Sequence, residues 1–171
     1  MVAESTHWDP NWLLSSEQYY RWFVRPTIDA VLESLDAEPR RVFSLECLFF
    51  VDLYWRGRPD RRDRFRSLVN DGRLRFTGSG VTTPDTLLPD DELILRDLLI
   101  GQEWLRRRGM HQEPGLLYLP DSFGHSPGLP ALLRAAGVDR AAICRIAGMR
   151  FPGADLETAA NFPRPGTSAA E

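Results

Sequence analysis

Apolar positions recur along the chain with two different periods, and the switches between them mark its elements. From 19 to 35 the segment YYRWFVRPTIDAVLESL follows a helical spacing, and Ser15 with Gln18 forms a capping-box signature ahead of it. This helix is predicted to kink at Pro26, which has no N–H to give, and to be closed off by Pro39. RVFSLECLFF then reads as a buried strand running on into a helix, RDRFRSLVNDG as a helix stopped by Gly72, and RLRFTGSG as the next strand. A helix from about Asp91 to Arg108 places Leu95, Leu98, Leu99 and Leu105 at near-helical spacing and ends at Gly109; GLLYLP is the strand that delivers Asp121. Ser126 and Pro127 are predicted to supply the N-cap and first turn of a further helix, which Gly137 ends, and RAAICRIAG is the last strand.

Strands alternating with helices predict an α/β fold with a parallel sheet. The strand C-termini then fall near Glu46, Gly78 to Asp85, Asp121 and Arg145, on the edge where parallel α/β folds place their chemistry. The strands ending near Glu46, Gly78 and Asp121 are expected as parallel neighbours. No internal repeat is present, and the tail 151–171 lacks periodicity and reads as loop or disorder.

Composition narrows the class. The chain's 171 residues, 43% of them hydrophobic and 11% aromatic, suffice for one domain with a real core. Cys47 and Cys144 lie far apart in apolar segments and are expected to be buried free thiols. The absence of a signal-peptide-like start and of a long apolar run disfavours secretion and membrane spanning and makes a cytoplasmic location the expectation. Net charge is −3, and all 21 basic residues are arginine, a pattern with no evident physical purpose. The densest basic stretch, RGRPDRRDRFR at 56–66, carries interspersed aspartates and is expected as a solvated helix face, so no nucleic-acid partner is expected.

Two stretches carry candidate chemistry. In YLPDSFGHS an apolar run stops on Asp121 and passes into a turn, which makes this carboxylate either a turn former or a reactive group at the mouth of a strand. In STHWDPNW, His7 and Asp9 are one residue apart and project to the same side of an extended segment, a metal-ligand spacing that suits Zn²⁺ if another strand contributes a third ligand. The same triplet on its own also fits a solvated histidine in a terminal arm. Glu46, inside an apolar strand, is either hydrogen-bonded support for a site or a charge pointing out of the sheet. His125 reads as a turn or packing residue and His111 as exposed loop.

Together these stretches resemble the N-terminal catalytic domain of the glycoside hydrolase family 38 α-mannosidases, over most of the chain. That family's HxHxDxxW block is matched by STHWDPNW at His7, Asp9 and Trp12, with Ser5 in place of the leading histidine, and its DxFGHSPxxP block by DSFGHSPGLP. FSLECLFFVDLYW is similar to its second-strand segment, GSGVTTPD to its third-strand block with Val81 where tryptophan is common, and ICRIAG sets Arg145 where the family has an active-site arginine. The resemblance implies a partial (β/α)7-type barrel of the glycoside hydrolase/deacetylase kind and a zinc-dependent retaining hydrolase acting on terminal α-linked mannose. His7, Asp9 and Asp121 would be zinc ligands, Asp121 also the nucleophile, and Trp12, Phe123 and Arg145 substrate-binding residues. Aromatic faces suit the apolar face of a pyranose, and a guanidinium beside a carboxylate favours its ionised form. Trp12 could instead be a core aromatic, and Arg145 a surface residue after its strand.

The resemblance also implies a fourth ligand, a later histidine, and an acid/base, a later aspartate. Both are expected outside these 171 residues, so residues 1–150 are expected as the N-terminal part of a barrel truncated at both ends and inactive alone. Two alternatives stand beside this reading: a non-catalytic or carbohydrate-binding remnant, and a metal-dependent deacetylase-like hydrolase, which would normally add an HxxxH-type pair that three histidines do not supply here.

Overall fold

The computed structural model describes residues 4–78 and 80–144, so Arg145 and the tail 151–171 lie outside the described residues. The chain opens with strand β1 (Glu4–Ser5), crosses a loop, and enters α1 (Ser16–Tyr19) through the expected capping box. Ser15 Oγ accepts the Gln18 N–H at 3.3 Å, and Gln18 Oε1 accepts the Ser15 N–H at 3.2 Å. The kink expected at Pro26 takes the form of a π-helical turn (Tyr20–Val24), in which the Arg25 N–H reaches back to the Tyr20 carbonyl, before α2 (Arg25–Ala37) resumes with Pro26 in its first turn. The wider turn absorbs the missing proline N–H without breaking the rod.

There follow β2 (Phe43–Leu45), α3 (Phe49–Gly57), a 3₁₀ turn (Pro59–Arg61), α4 (Arg62–Asn70), β3 (Leu74–Phe76), α5 (Asp91–Arg107), β4 (Leu116–Leu119), α6 (Leu129–Ala135) and β5 (Arg140–Ile143). Asp90 caps α5 by accepting the Leu93 N–H at 2.8 Å. Gly72, Gly109 and Gly137, with φ of 69°, 68° and 77°, end α4, α5 and α6 in the left-handed conformation. The last helix starts later than its sequence suggests. Ser126 caps a preceding turn, its Oγ accepting the Gly128 N–H and its carbonyl the Leu129 N–H, and Pro130 takes the first turn of α6.

Among the described residues every strand pair is parallel, as the alternation predicts: β1–β2–β3 form one sheet, with Ser5 opposite Ser44 and Leu45 opposite Phe76, and β4–β5 a second, with Leu119 opposite Ile143. The strands at Glu46 and Gly78 are neighbours as expected, but no ladder joins β3 to β4. The Gln112 side-chain amide stands in that place, accepting the Phe76 N–H at 2.8 Å and donating to the Phe76 carbonyl at 2.6 Å. Beyond it, the Tyr118 N–H reaches the Thr77 carbonyl at 2.5 Å.

Among the described residues the buried apolar side chains form two clusters. One joins β2 and β3 to α2, α3 and α4 through residues such as Ile28, Leu35, Phe50, Tyr54 and Phe65; the other joins Leu117 and Leu119 of β4 to Leu129 and Leu133 of α6. Helix α5 serves both, Ile94 and Leu98 packing in the second and Leu105 in the first. Dividing the helix this way turns Leu99, expected on its core face, outward at 43% exposure.

Two further expectations change. The basic stretch is docked, because Asp29, Glu33 and Asp36 line one side of α2 and pair with Arg58, with Arg61 at 3.7 Å and with Arg64 at 2.6 Å. Cys47 is a buried free thiol, whereas Cys144, which follows the short strand β5, is free but exposed. Among the described residues no helix is long and apolar enough to cross a membrane.

Candidate active site

After β1 the chain stays extended, so alternate residues face opposite ways. Thr6 and Trp8 turn inward, and Trp8 packs edge-on against Phe50 with ring centroids 6.1 Å apart. That anchoring leaves His7 and Asp9 facing a cavity of about 620 Å³. Asp121, just past β4, faces the same cavity, and its neighbour Ser122 is buried with its hydroxyl donating to the Pro84 carbonyl at 3.0 Å. The β4–α6 and β3–α5 loops are thereby tied together beneath the carboxylate.

The three predicted ligands converge. One donor atom from each of His7, Asp9 and Asp121 lies within 4.8 Å of the others. His7 Nε2 is 3.4 Å from Asp9 Oδ1 and 3.8 Å from Asp121 Oδ2, both longer than a good N–H···O bond. Two ligands of one tetrahedral zinc with bonds of about 2.1 Å lie ~3.4 Å apart, so one imidazole nitrogen and two carboxylate oxygens are a donor set that suits that ion, with His7 and Asp9 at that spacing and Asp121 needing to draw closer to share it.

Glu46 resolves to the first of its two readings. It is 1% exposed, accepts the Trp8 N–H at 2.7 Å, and lies 3.0 Å from His7 Nδ1. Burial raises its carboxyl above the ordinary range against the opposing pull of those two bonds. For His7, burial favours the neutral ring, but the Glu46 bond and the charges of Glu46, Asp9 and Asp121 outweigh it and hold the imidazole above its usual value. Cys47, lining the same cavity, is pushed up to about 12 by burial and is no nucleophile at neutral pH.

Trp12 and Phe123 stand at the cavity mouth, 73% and 66% exposed, which sets aside the core reading of Trp12. Arg145 lies outside the described residues. His125 behaves as a turn residue, its Nδ1 2.8 Å from Thr86 Oγ1, and His111 is exposed with its backbone N–H on Asn70. Thr83 and Asp85 also line the cavity. Asp85 could be placed from the sequence at a strand end, beside Glu46 as a carboxylate to mutate should the chain hold its own acid/base, but nothing local says which way a loop carboxylate points.

Comparison with known proteins identifies the family. Residues 1–148 match the profile of the Glycosyl hydrolases family 38 N-terminal domain. The chain is 30% identical over 145 residues to Alpha-mannosidase 2 of Arabidopsis thaliana, covering 84% of this chain and 12% of that protein. It is 28% identical over 148 residues to Alpha-mannosidase 2 of Spodoptera frugiperda, covering 85% of this chain and 13% of that one. Among solved structures it is similar to an alpha-mannosidase from Enterococcus faecalis, with a TM-score of 0.73 and 26% identity over 82% of this chain and 16% of that chain. The chain thus spans about an eighth of the length of these two curated relatives, and over a match that takes in all of its described residues it belongs to glycosyl hydrolase family 38, as part of that family's N-terminal domain.

Proposed function

We propose that these residues form the opening part of an α-mannosidase catalytic domain that hydrolyses terminal α-linked mannose with retention of configuration. The observation that carries this reading is the convergence of His7, Asp9 and Asp121 on one cavity, in a chain of this family. In this reading the parallel strands belong to a (β/α)7 barrel, with residues 1–150 as its N-terminal part and 151–171 as a tail.

His7, Asp9 and Asp121 would hold zinc, which when bound supplies Lewis-acid polarisation and a grip on neighbouring sugar hydroxyls. The indole of Trp12 and the ring of Phe123, exposed at the mouth, take the apolar face of the pyranose and orient its anomeric carbon. Asp121 then attacks that carbon: a C1–O bond to its carboxylate forms as the bond to the departing glycosidic oxygen breaks. Water then cleaves the glycosyl ester, its proton going to the second carboxylate that protonated the departing oxygen, which returns Asp121 as a carboxylate and releases mannose with its original configuration. The proton for the departing oxygen comes from a second carboxylate, which the family resemblance assigns to a later aspartate. The family resemblance would assign Arg145, which lies outside the described residues, to substrate binding.

The test is zinc content together with hydrolysis of a chromogenic α-mannoside, measured on a form extended to the family's whole catalytic domain. Stoichiometric zinc and turnover that a chelator abolishes support the reading. Zinc-independent turnover would remove the metal role, and tight zinc and mannoside binding without turnover would favour a carbohydrate-binding role.

A further inference from the structure

We infer that Glu46 is a positioning residue that selects which nitrogen of His7 is available to a cation; the inference rests on the metal-site reading above. An ionised carboxylate can only accept hydrogen bonds. One oxygen of Glu46 is committed to the Trp8 backbone N–H at 2.7 Å, and the other lies 3.0 Å from His7 Nδ1. The hydrogen of the neutral imidazole must therefore sit on Nδ1, and the lone pair on Nε2, the nitrogen that faces Asp9 and Asp121 at 3.4 and 3.8 Å. The opposite tautomer would set two lone pairs against each other at Nδ1 and aim an N–H at the carboxylates, leaving no imidazole donor for an ion.

The surroundings hold this choice firmly. Glu46 follows β2 directly and is 1% exposed, so water cannot take over either of its bonds. Trp8 is wedged against Phe50, so its N–H cannot turn away. A buried acceptor bridging one fixed backbone donor and one imidazole thus transmits the position of β2 to the proton of His7. Outer partners of this kind typically change metal affinity by 10–100-fold.

Glutamine tests the mechanism because it keeps the shape and has only one acceptor oxygen. In Glu46→Gln the fixed Trp8 N–H claims that oxygen, the amide NH₂ is left facing Nδ1, and the imidazole hydrogen moves to Nε2. The experiment uses the 171-residue chain, free of metal and then titrated with Zn²⁺ against a chromophoric chelator, with the His7 tautomer read from ¹⁵N shifts at about pH 9, where imidazole is neutral. Wild type is expected to show the Nδ1–H tautomer, and Glu46→Gln the Nε2–H tautomer with zinc affinity lower by about 10–100-fold. His7→Ala and Asp121→Asn serve as site controls. If these controls bind zinc like wild type, the metal-site reading fails and the inference with it. If they lose zinc while Glu46→Gln retains wild-type affinity and tautomer, the site stands and the role of Glu46 is overturned. An Nε2–H tautomer in the wild type overturns it whether or not the glutamine variant folds.

Discussion

Replacing Gly78 with alanine is expected to open the join between the first sheet and the site. A Cβ built there would lie 1.9 Å from the Glu46 carbonyl oxygen, and that oxygen is backbone, so no flexible side chain can swing aside. A carbon–oxygen contact relaxes at about 3.3 Å, so the ends of β2 and β3 must part by roughly 1.4 Å. That separation stretches the bond from the Thr77 N–H to the Leu45 carbonyl, now 2.9 Å. Overpacking in a tight interior costs about 1–3 kcal/mol and the lost backbone bond about 1 kcal/mol, for a total near 2–4 kcal/mol. For a chain of this length each kcal/mol lowers the melting temperature by about 2–4 °C, which predicts a drop of roughly 4–16 °C. The assay is thermal unfolding followed by circular dichroism, with Gly115→Ala as control. Its Cβ meets the tips of the exposed Arg140 and Asp139 side chains, 3.1 and 3.8 Å away, and should leave the melt nearly unchanged. A Gly78→Ala protein melting with wild type would refute the close-approach argument.

Further outcomes are expected elsewhere. In the extended catalytic domain Asp121→Asn should abolish mannoside turnover while leaving the fold intact, because it removes the attacking oxygen and weakens a proposed ligand; near-normal turnover would return Asp121 to the role of turn former. Arg58→Ala should cost about 1.5–3 kcal/mol in urea unfolding, because it strips the charged partner from Asp29, which also accepts the Tyr54 hydroxyl at 2.6 Å. Arg21→Ala, in an exposed pair with Glu17, should cost no more than about 0.5 kcal/mol, and equal effects would contradict the docking of the basic stretch on α2. Asp97 is held above the usual carboxyl range by burial, against its bonds from Thr82 at 3.0 and 3.1 Å. A pKa raised in the fold means stability is greatest below the unfolded value, near pH 4, and declines as pH rises through the folded one. Asp97→Asn should flatten that decline as pH rises above about 4, and urea midpoints that fall with pH as steeply as in wild type would refute it.

How much of this was legible in the sequence depends on how local the cause is. The Ser15–Gln18 box, the glycine stops and the parallel pairing follow from residues close together or from simple alternation, and each is present. The HxD spacing and the strand-terminal Asp121 could be read because extended chain has a period of two. Glu46 could not be assigned: its two donors come from a segment 38 and 39 residues away, and only the folded sheet brings them to it. The gap between β3 and β4 was equally hidden, since a single side chain, Gln112, imitates a strand edge. Leu99 and the docked arginines were misjudged for a related reason. A helical period says that a face exists, but the neighbours decide where it points, here two cores sharing α5 and an acidic row on α2.

The division into two cores gives the site a property that neither half possesses alone. His7 and Asp9 are carried by the first cluster through Trp8, whereas Asp121 rides on the strand that builds the second. A ligand gripping all three therefore acts as a clasp across the seam where Gln112 replaces a ladder. By mass action, its binding adds RT ln(1 + [L]/Kd) to the docking of one half on the other, about 2.7 kcal/mol at a hundredfold excess over Kd. Occupancy of the site and closure of the seam become a single equilibrium, so hydrogen exchange along β3 and β4 would report ligand binding from residues that never touch the ligand.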